Sequence, residues 1–495
     1  MKKKNRVLSL GLLLILVGAL SLWAQDTSWD DSFGFFESDS SFERSSLSIG
    51  GSASIQTRAI VGGEAYKDYF DKDKTGDGVY TSTALVLDIG HSGSFADLSG
   101  TLKFSDASLR DYQEDILDEL TLRLYVGDFV IEGGKMKIIW GKGDKLHVLD
   151  NFNANDFTNF IIPDYIDRRL AEPMVRVTWT AQSGAQLEGV YAPSMTPDRS
   201  ATSGIWTPSQ FGELSGMTAE VLEAQAAKAL LSGAGFADLL AIAAKADGIL
   251  PSTSSFDYGQ AGLRFTHTVG SVDLGASYYY GYYKQPSVDL SGYLAAKVAE
   301  SLGDSSILAT DSALPSLAYD RLQVFGVEAA TVIKGFNLRG EAAYYLTDDR
   351  DGDDPWVRNN SLNWVLGFDV DLPIHNLNLN IQNIGSYVLK NDKIGSNVMI
   401  PAKYDVDYKS NGRYSTNKLS FLLSDTLLRD KLTLSCALVW GIEQSDLLIM
   451  PKAGYTITDG LDVTLSGMYI HGKDGGEFYD FKDNSFIQVG MSYVF

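Results

Sequence analysis

The stretch from Gly141 to Glu172 gathers the side chains best suited to act on another molecule. Asp164, Asp167, Arg168, Arg169 and Glu172 set carboxylates and guanidiniums almost side by side. Guanidiniums remain charged at any working pH and fork onto carboxylates. Held across a water-filled passage, such a set makes a transverse field that sorts charged and polar solutes. Left on a surface, it pairs locally. Two acidic runs suggest a second chemistry. Asp71, Asp73 and Asp77 beside Gly76, and Asp349, Asp351 and Asp353 around Gly352, space oxygen ligands at alternate positions about a glycine, as calcium loops do. Ser82 stands where an EF-hand closes with a bidentate glutamate, so hydrophilic loop tips are the plainer reading. No cofactor is expected, calcium being the one ion these runs would suit. Catalysis has little to work with. His91, His147, His267, His375 and His471 are scattered, and no HExxH, GxSxG or phosphate-cradling loop occurs. The chain is not expected to be an enzyme.

The elements that would hold these groups are strands. Period-two segments recur near 45–59, 77–91, 96–106, 116–127, 129–140, 172–181, 184–193, 257–269, 271–284, 321–333, 335–348, 361–372, 375–389, 416–427, 431–442, 446–457, 460–471 and 484–495. Successive side chains of a strand point to opposite faces. Leu362, Trp364, Leu366, Phe368 and Val370 thus oppose Asn363, Asp369 and Asp371. The match is poorer around 129–140 and 446–457, where Glu132 and Leu448 fall on the unexpected side. The links alternate in length. Short ones sit at Gly93, 127–128, 182–183, Gly270, Gly335, Pro373, 429–430 and 459–460. Long ones lie between them at 60–76, 107–115, 141–171, 194–256, 285–320, 349–360, 390–415 and 472–483, and only 442–444 breaks the order. Short turns on one rim and long loops on the other mark membrane barrels. The expected fold is all-β: a transmembrane antiparallel up-and-down β-barrel over residues 45–495, of about 16–18 strands, with helical insertions in its external loops.

Charge placement agrees with a watery bore. Arg58, Lys103, Arg123, Lys135, Lys137, Arg176, Glu188, Arg264, Asp273, Glu328, Arg339, Glu341, Asp369 and Asp371 are assigned to the inward face, where charge costs least. Neighbouring strands carry opposite signs, so these groups have partners across the wall. Cys436, the single cysteine, can form no internal disulfide and falls among Leu434 and Leu438 on the apolar face. Residues 217–247 break the strand rhythm. Met217–Leu231 is rich in helix formers with Thr218 as a cap, Gly233 to Gly235 stop it, 236–246 restart it, and a further helix is expected at 293–302. Such helices above a barrel mouth form either a groove for hydrophobic ligands, as in long-chain fatty-acid transporters, or a lid packed on neighbouring loops; the lid is preferred.

The two ends frame this barrel. Lys2, Lys3, Lys4 and Arg6 precede an apolar run from Val7 to Leu22 and a small residue at Ala24, which reads as an export signal over residues 1–24. Residues 25–44 are an acidic, aromatic periplasmic lead-in. No later apolar run is long enough for a membrane helix. The net charge of −22 makes nucleic acid an unsuitable partner. At the C-terminus, Gln488, Gly490, Tyr493 and Phe495 resemble the signal read by the barrel-assembly machinery of outer membranes. The expected setting is therefore the outer membrane of a diderm bacterium, with lipid and that machinery as partners.

One stretch carries a family resemblance. Trp140-Gly141, the Asn155-Asp156 step, Arg168-Arg169, then Pro173-Met174-Val175-Arg176-Val177-Thr178-Trp179 and Leu187-Glu188-Gly189-Val190-Tyr191 resemble a family of large porin-like outer-membrane proteins of unknown function. The resemblance implies an outer-membrane barrel and brings no assigned substrate. In general porins the third long loop, here 141–171, folds into the lumen and narrows it. The function expected is passive diffusion of small solutes through a porin-like channel. The alternatives are an importer of hydrophobic compounds and a barrel-anchored adhesin or binding protein.

Overall fold

The computed structural model describes residues 46–62, 78–162 and 164–495. Within them a single antiparallel sheet of 18 strands closes on itself. The barrel strands are β1 (Ser46–Ile60), β2 (Val79–Ser92), β3 (Ala96–Ser105), β4 (Leu117–Val126), β5 (Phe129–Met136), β6 (Glu172–Thr180), β7 (Gln186–Ala192), β8 (Gln260–Val269) and β9 (Val272–Tyr282). They continue as β10 (Arg321–Ile333), β11 (Phe336–Leu346), β12 (Ser361–Asp371), β13 (Asn378–Val388), β14 (Ser415–Leu427), β15 (Leu432–Gly441), β16 (Asp446–Thr458), β17 (Leu461–His471) and β18 (Phe486–Val494). Each pairs with its neighbours in sequence, and β18 pairs with β1 from Val494 opposite Ser52 to Phe486 opposite Ile60. Closure leaves no sheet edge with unpaired backbone groups, the condition a strand protein must meet in lipid. The alternation of short and long links puts all the large insertions on one rim. The barrel is closed, antiparallel and up-and-down, the architecture the sequence leads one to expect. The export signal, the lead-in and the Asp71, Asp73 and Asp77 run lie outside the described residues.

Register fixes which face each residue takes. Leu465, Val489 and Thr57 stand in one row, as do Val463, Met491 and Ile55, and these point outward. Cys436 is exposed and opposite Leu423 on the same outer face. Asn383 also faces out, but it accepts the Trp364 indole N–H at 2.9 Å and so is not left bare. Two sequence assignments are revised by the register. β5 ends at Met136, and its outward set is Phe129, Ile131 and Gly133, opposite Trp179, Val177 and Val175. Glu132 therefore faces inward, and Lys135, assigned to the lumen from sequence, falls on the outer side. There its ammonium donates to the Glu114 and Leu117 carbonyls at 2.9 and 2.6 Å, at the long-loop rim where a lysine can reach polar groups. Leu448 does face inward, and it is buried because a loop packs on it.

The helical insertions are α1 (Ser209–Leu231), α2 (Phe236–Ala243) and α3 (Ser291–Ser301). α1 begins nine residues before the expected cap, as Ser209 follows Pro208. Thr218 therefore lies inside the helix and donates to the Leu214 carbonyl at 2.9 Å. Gly233 at φ 84° ends α1 as expected. Val221 on α1 packs against Tyr293 and Ala296 on α3 and against Leu308 and Ala313. Glu220 accepts from Tyr293 at 2.6 Å and from Lys297 at 2.7 Å. The facing sides of the two long helices are thus spent on each other, which is a lid-like arrangement.

Candidate functional site

The connection between β5 and β6, residues 137–171, turns into the bore. Its first anchor is Glu341 on β11, whose side chain is buried. One carboxylate oxygen accepts the N–H groups of Lys142 and Gly143, both at 2.7 Å, and lies 2.9 Å from His147 Nδ1. The other accepts the Val148 N–H at 2.8 Å. A Cβ on Gly141, at φ 115°, would sit 2.2 Å from Glu341 Oε1. Glycine at that position is what lets the chain wrap the carboxylate. One strand pair further round, Gln382 and Asn380 on β13 hold Asp144 through bonds of 2.7–2.9 Å. Tyr345 donates to the Val148 carbonyl at 2.7 Å. Behind these bonds Trp140, Leu149 and Phe152 pack on the inward Met174, Val190, Tyr279, Val324, Ala343 and Val365. Trp140 meets Phe152 edge-on at 5.1 Å and donates its indole N–H to Glu188.

The second anchor lies almost diametrically opposite, since β1 is eight strands from β11 one way round and ten the other. Phe160 stacks on Trp206 at 5.1 Å, and both pack on Ile60, Leu448, Met468, Ile470, Phe478, Phe481 and Phe486. Arg58 on β1 lies over the Phe486 ring and donates to Asn159 at 2.8 Å. The loop therefore crosses the lumen from wall to wall. Its neck is tied by Asn153, which accepts from Ile138 N–H at 2.7 Å and donates to the Met136 and Leu170 carbonyls.

Comparison with known proteins follows this architecture. Residues 115–363 match the family described as a protein of unknown function, DUF1302, a span of half the chain. The chain belongs to that family. No curated protein matches it. Among solved structures it is similar to a BenF-like porin from Pseudomonas fluorescens, with 8% identity, a TM-score of 0.45, and coverage of 92% of this chain and 99% of that one. It is also similar to the outer membrane channel DcaP of Acinetobacter baumannii, with 10% identity, a TM-score of 0.40 and coverage of 91% and 97%. A third is Wzi of Escherichia coli, a carbohydrate-binding β-barrel involved in group 1 capsule assembly, with 11% identity, a TM-score of 0.43 and coverage of 90% and 84%. These likenesses concern the barrel and nothing finer. Of the residues that fasten the loop, Trp140, Glu188 and Glu341 fall inside the DUF1302 span, while Arg58 and Phe486 lie beyond it.

The five expected constriction residues separate into two kinds. Arg169 and Glu172 are buried. Arg169 lies 2.8 Å from Asp150, which also accepts the Tyr165 hydroxyl. Burial pushes the Asp150 carboxyl up from its ordinary range, against the pull of Arg169. Glu172 takes Lys284 at 3.2 Å, Gln260 at 3.0 Å and the Thr196 N–H at 3.2 Å. Neither is available to a passing solute; both hold the loop. Asp164, Asp167 and Arg168 remain open to water or partly so. Asp164 pairs with Lys145 at 3.0 Å. Burial pushes its carboxyl up, but the Lys145 bond and charge, the Tyr165 N–H and Lys452 on β16 outweigh it and hold it below its ordinary value.

The expected lumen charges are mostly consumed in pairs. Glu132 sits between Arg123 at 2.8 Å and Arg176. Glu188 takes Trp140, Glu328 takes Arg264 at 2.5 Å, and Asp369 takes Arg339. Asp371 accepts from Asn378 at 2.8 Å, and Lys137 pairs with Asp118 at 2.9 Å. Glu341 is the loop anchor rather than a bare wall charge. In the second acidic run, Asp349 is turned onto the Gly352 and Asp354 N–H groups, and Asp351 lies 3.5 Å from Lys390. Among the described residues no three His, Cys, Asp or Glu converge to hold a metal. At the C-terminal end, Gln488 and Gly490 face inward, and Tyr493 stacks with Phe495 at 6.3 Å. Phe160, Gln382 and Trp206 were missed from sequence. An apolar residue in a polar loop, such as Phe160, is the signal that marked one of them.

Proposed function

We propose that this barrel is an outer-membrane channel for passive diffusion of small polar solutes, and not an enzyme. The observation that carries it is the loop 137–171 fastened at Glu341 and at Arg58, which divides the bore. On the β4–β12 side the space is taken up by the packed Trp140, Leu149 and Phe152 and by closed ion pairs. The passage is the remaining space between the loop and the inward faces of β14–β18 and β1–β3. Those faces are lined by short polar and charged side chains such as Ser435, Lys452, Ser466 and Gln488. A narrow aqueous path of this kind selects by size and charge. The packing of α1 on α3 favours a lid over a groove for hydrophobic ligands. The test is planar-bilayer recording of the refolded barrel. Stable ohmic steps support a channel; silence together with saturable ligand binding to the external loops would replace it with a surface binder.

A further inference from the structure

We infer that the wall row Arg58–Gln488–Ser466–Lys452 is a binding site for small carboxylate anions inside the bore. The inference rests on the channel reading for its access route. The four residues are consecutive register partners: Arg58 stands opposite Gln488, Gln488 opposite Ser466, and Ser466 opposite Lys452. They therefore lie at one level across β1, β18, β17 and β16, all pointing inward, spanning about 14 Å of wall at ordinary strand spacing.

Both ends of the row are cations with no ion pair among the described residues. Arg58 bonds only neutral oxygens, Gln488 Oε1 at 3.0 and 2.8 Å and Asn159 Oδ1 at 2.8 Å. Lys452 is exposed and makes no hydrogen bond or ion pair among the described residues. This differs from the opposite wall, where Glu132, Glu328 and Asp369 each hold an arginine. A wall built only for stability would pair its inward charges, since an unpaired charge beside low-dielectric protein is costly. Between the cations, the Ser466 hydroxyl and the second amide hydrogen of Gln488, whose Nε2 also donates to Gln56 at 3.1 Å, supply neutral donors, so the row offers a carboxylate charge attraction at either end and hydrogen bonds between.

The level above closes the site from the long-loop side. Ile60 stands opposite Phe486 and Phe486 opposite Met468, and these pack under Phe160 and Trp206. That apolar roof excludes water from one side of the row and strengthens its field. Across the gap, Asp164 on the loop pairs with Lys145 at 3.0 Å and also feels the charge of Lys452. The Asp164 charge therefore opposes an incoming carboxylate near the row, and a solute that binds must do so weakly enough to leave. That is the behaviour a conducting pathway needs.

The experiment is equilibrium dialysis of labelled succinate against the full-length, detergent-solubilised barrel, with heat-modifiable gel migration as the check on folding. Dialysis reads binding whether or not the barrel conducts, so failure of the channel reading and failure of the site are distinguishable. Saturable binding is expected, weakened about tenfold or more in Lys452→Gln, the loss of one charge-assisted bond. Lys452→Arg should retain it, and Asp164→Asn should tighten it. Arg58→Gln should weaken it too, but Arg58 also touches Asn159, so Lys452, which has no bond to lose among the described residues, is the deciding position. Absence of saturable binding to the folded wild-type protein, or equal affinity in the Lys452→Gln barrel, overturns the site.

Discussion

Replacing Glu341 by glutamine should release one end of the internal loop. The native carboxylate receives three backbone N–H groups at 2.7–2.8 Å and the His147 ring at 2.9 Å. The amide keeps one acceptor oxygen but sets an NH2 group against either the Val148 N–H or the Lys142–Gly143 pair, so at least one buried donor loses its acceptor. Charge-assisted bonds are worth about 1.5–3 kcal/mol each, and a buried donor left unsatisfied costs about 1–3 kcal/mol. Gln382 and Tyr345 still hold Asp144 and the Val148 carbonyl, so the net loss is put at about 3 kcal/mol, a factor of roughly a hundred in local opening. Amide hydrogen exchange reports this directly. Lys142, Gly143 and Val148 should exchange about a hundredfold faster, while amides of β11 and β12 keep their protection. Single-channel traces should show added flicker and a larger mean conductance as the loop leaves the bore. Gly141→Ala should do the same from the other partner, because its Cβ would lie 2.2 Å from the carboxylate oxygen. Unchanged exchange at Lys142, Gly143 and Val148 in a folded Glu341→Gln barrel would refute the anchor.

Three further outcomes follow from the same geometry. Phe160→Ala should detach the opposite end, removing a ring buried against Trp206, Phe478 and Phe481 at a cost of about 3 kcal/mol; protease cleavage within 155–168 should then appear in the folded barrel, and resistance equal to wild type would count against the second anchor. Cys436 faces lipid beside Leu434 and Leu438, so in reconstituted membranes a charged maleimide should leave it unlabelled while an apolar one reacts; rapid labelling by the charged reagent would place this strand face in water. The Asp164 carboxyl titrates below its ordinary value, so its negative charge is fully present above the usual carboxylate range and is lost as pH falls through the depressed value. Anion preference, read from reversal potentials in a salt gradient, should therefore rise only below about pH 3.9, the reference value for aspartate, and Asp164→Asn should abolish that rise; a step at higher pH assigns it to another group.

The barrel was legible because its two signals, period-two alternation and the alternation of link lengths, are imposed by lipid on every hairpin independently. Errors in one strand do not propagate. β5 shows the limit. It is short, interrupted by Gly133 and Gly134, and ends at Met136, so the apparent alternation through Lys135 and Lys137 mixed strand with loop and placed Lys135 on the wrong face. The internal loop was legible as a place but not as a structure. Arg169 and Glu172 drew notice as charges, yet Asp150 sits elsewhere in the same loop and Lys284 and Gln260 come from another hairpin, partners that only folding brings together. Composition at 164–172 cannot distinguish a charge that faces water from one that is neutralised in a buried pair. The start of α1 was hidden for a local reason, since Gly212 and Gly216 lower the helix signal of its first turns.

The overall charge of −22 and an anion-binding row in the bore are compatible once the position of each charge is considered. Acidic side chains concentrate in the long-loop insertions, as at Asp348, Asp351, Asp353 and Asp354, where they stand in water. Their field is screened over about 8 Å at physiological ionic strength. The Arg58–Lys452 row lies beneath the Phe160–Trp206 roof, on a wall where screening by mobile ions is poorer. A carboxylate would thus be repelled weakly and at long range at the mouth but attracted strongly and at short range within. Raising ionic strength removes the first effect before the second. Flux of a small carboxylate through the barrel should consequently pass through a maximum as salt increases, where a uniformly acidic pore would show only a steady rise.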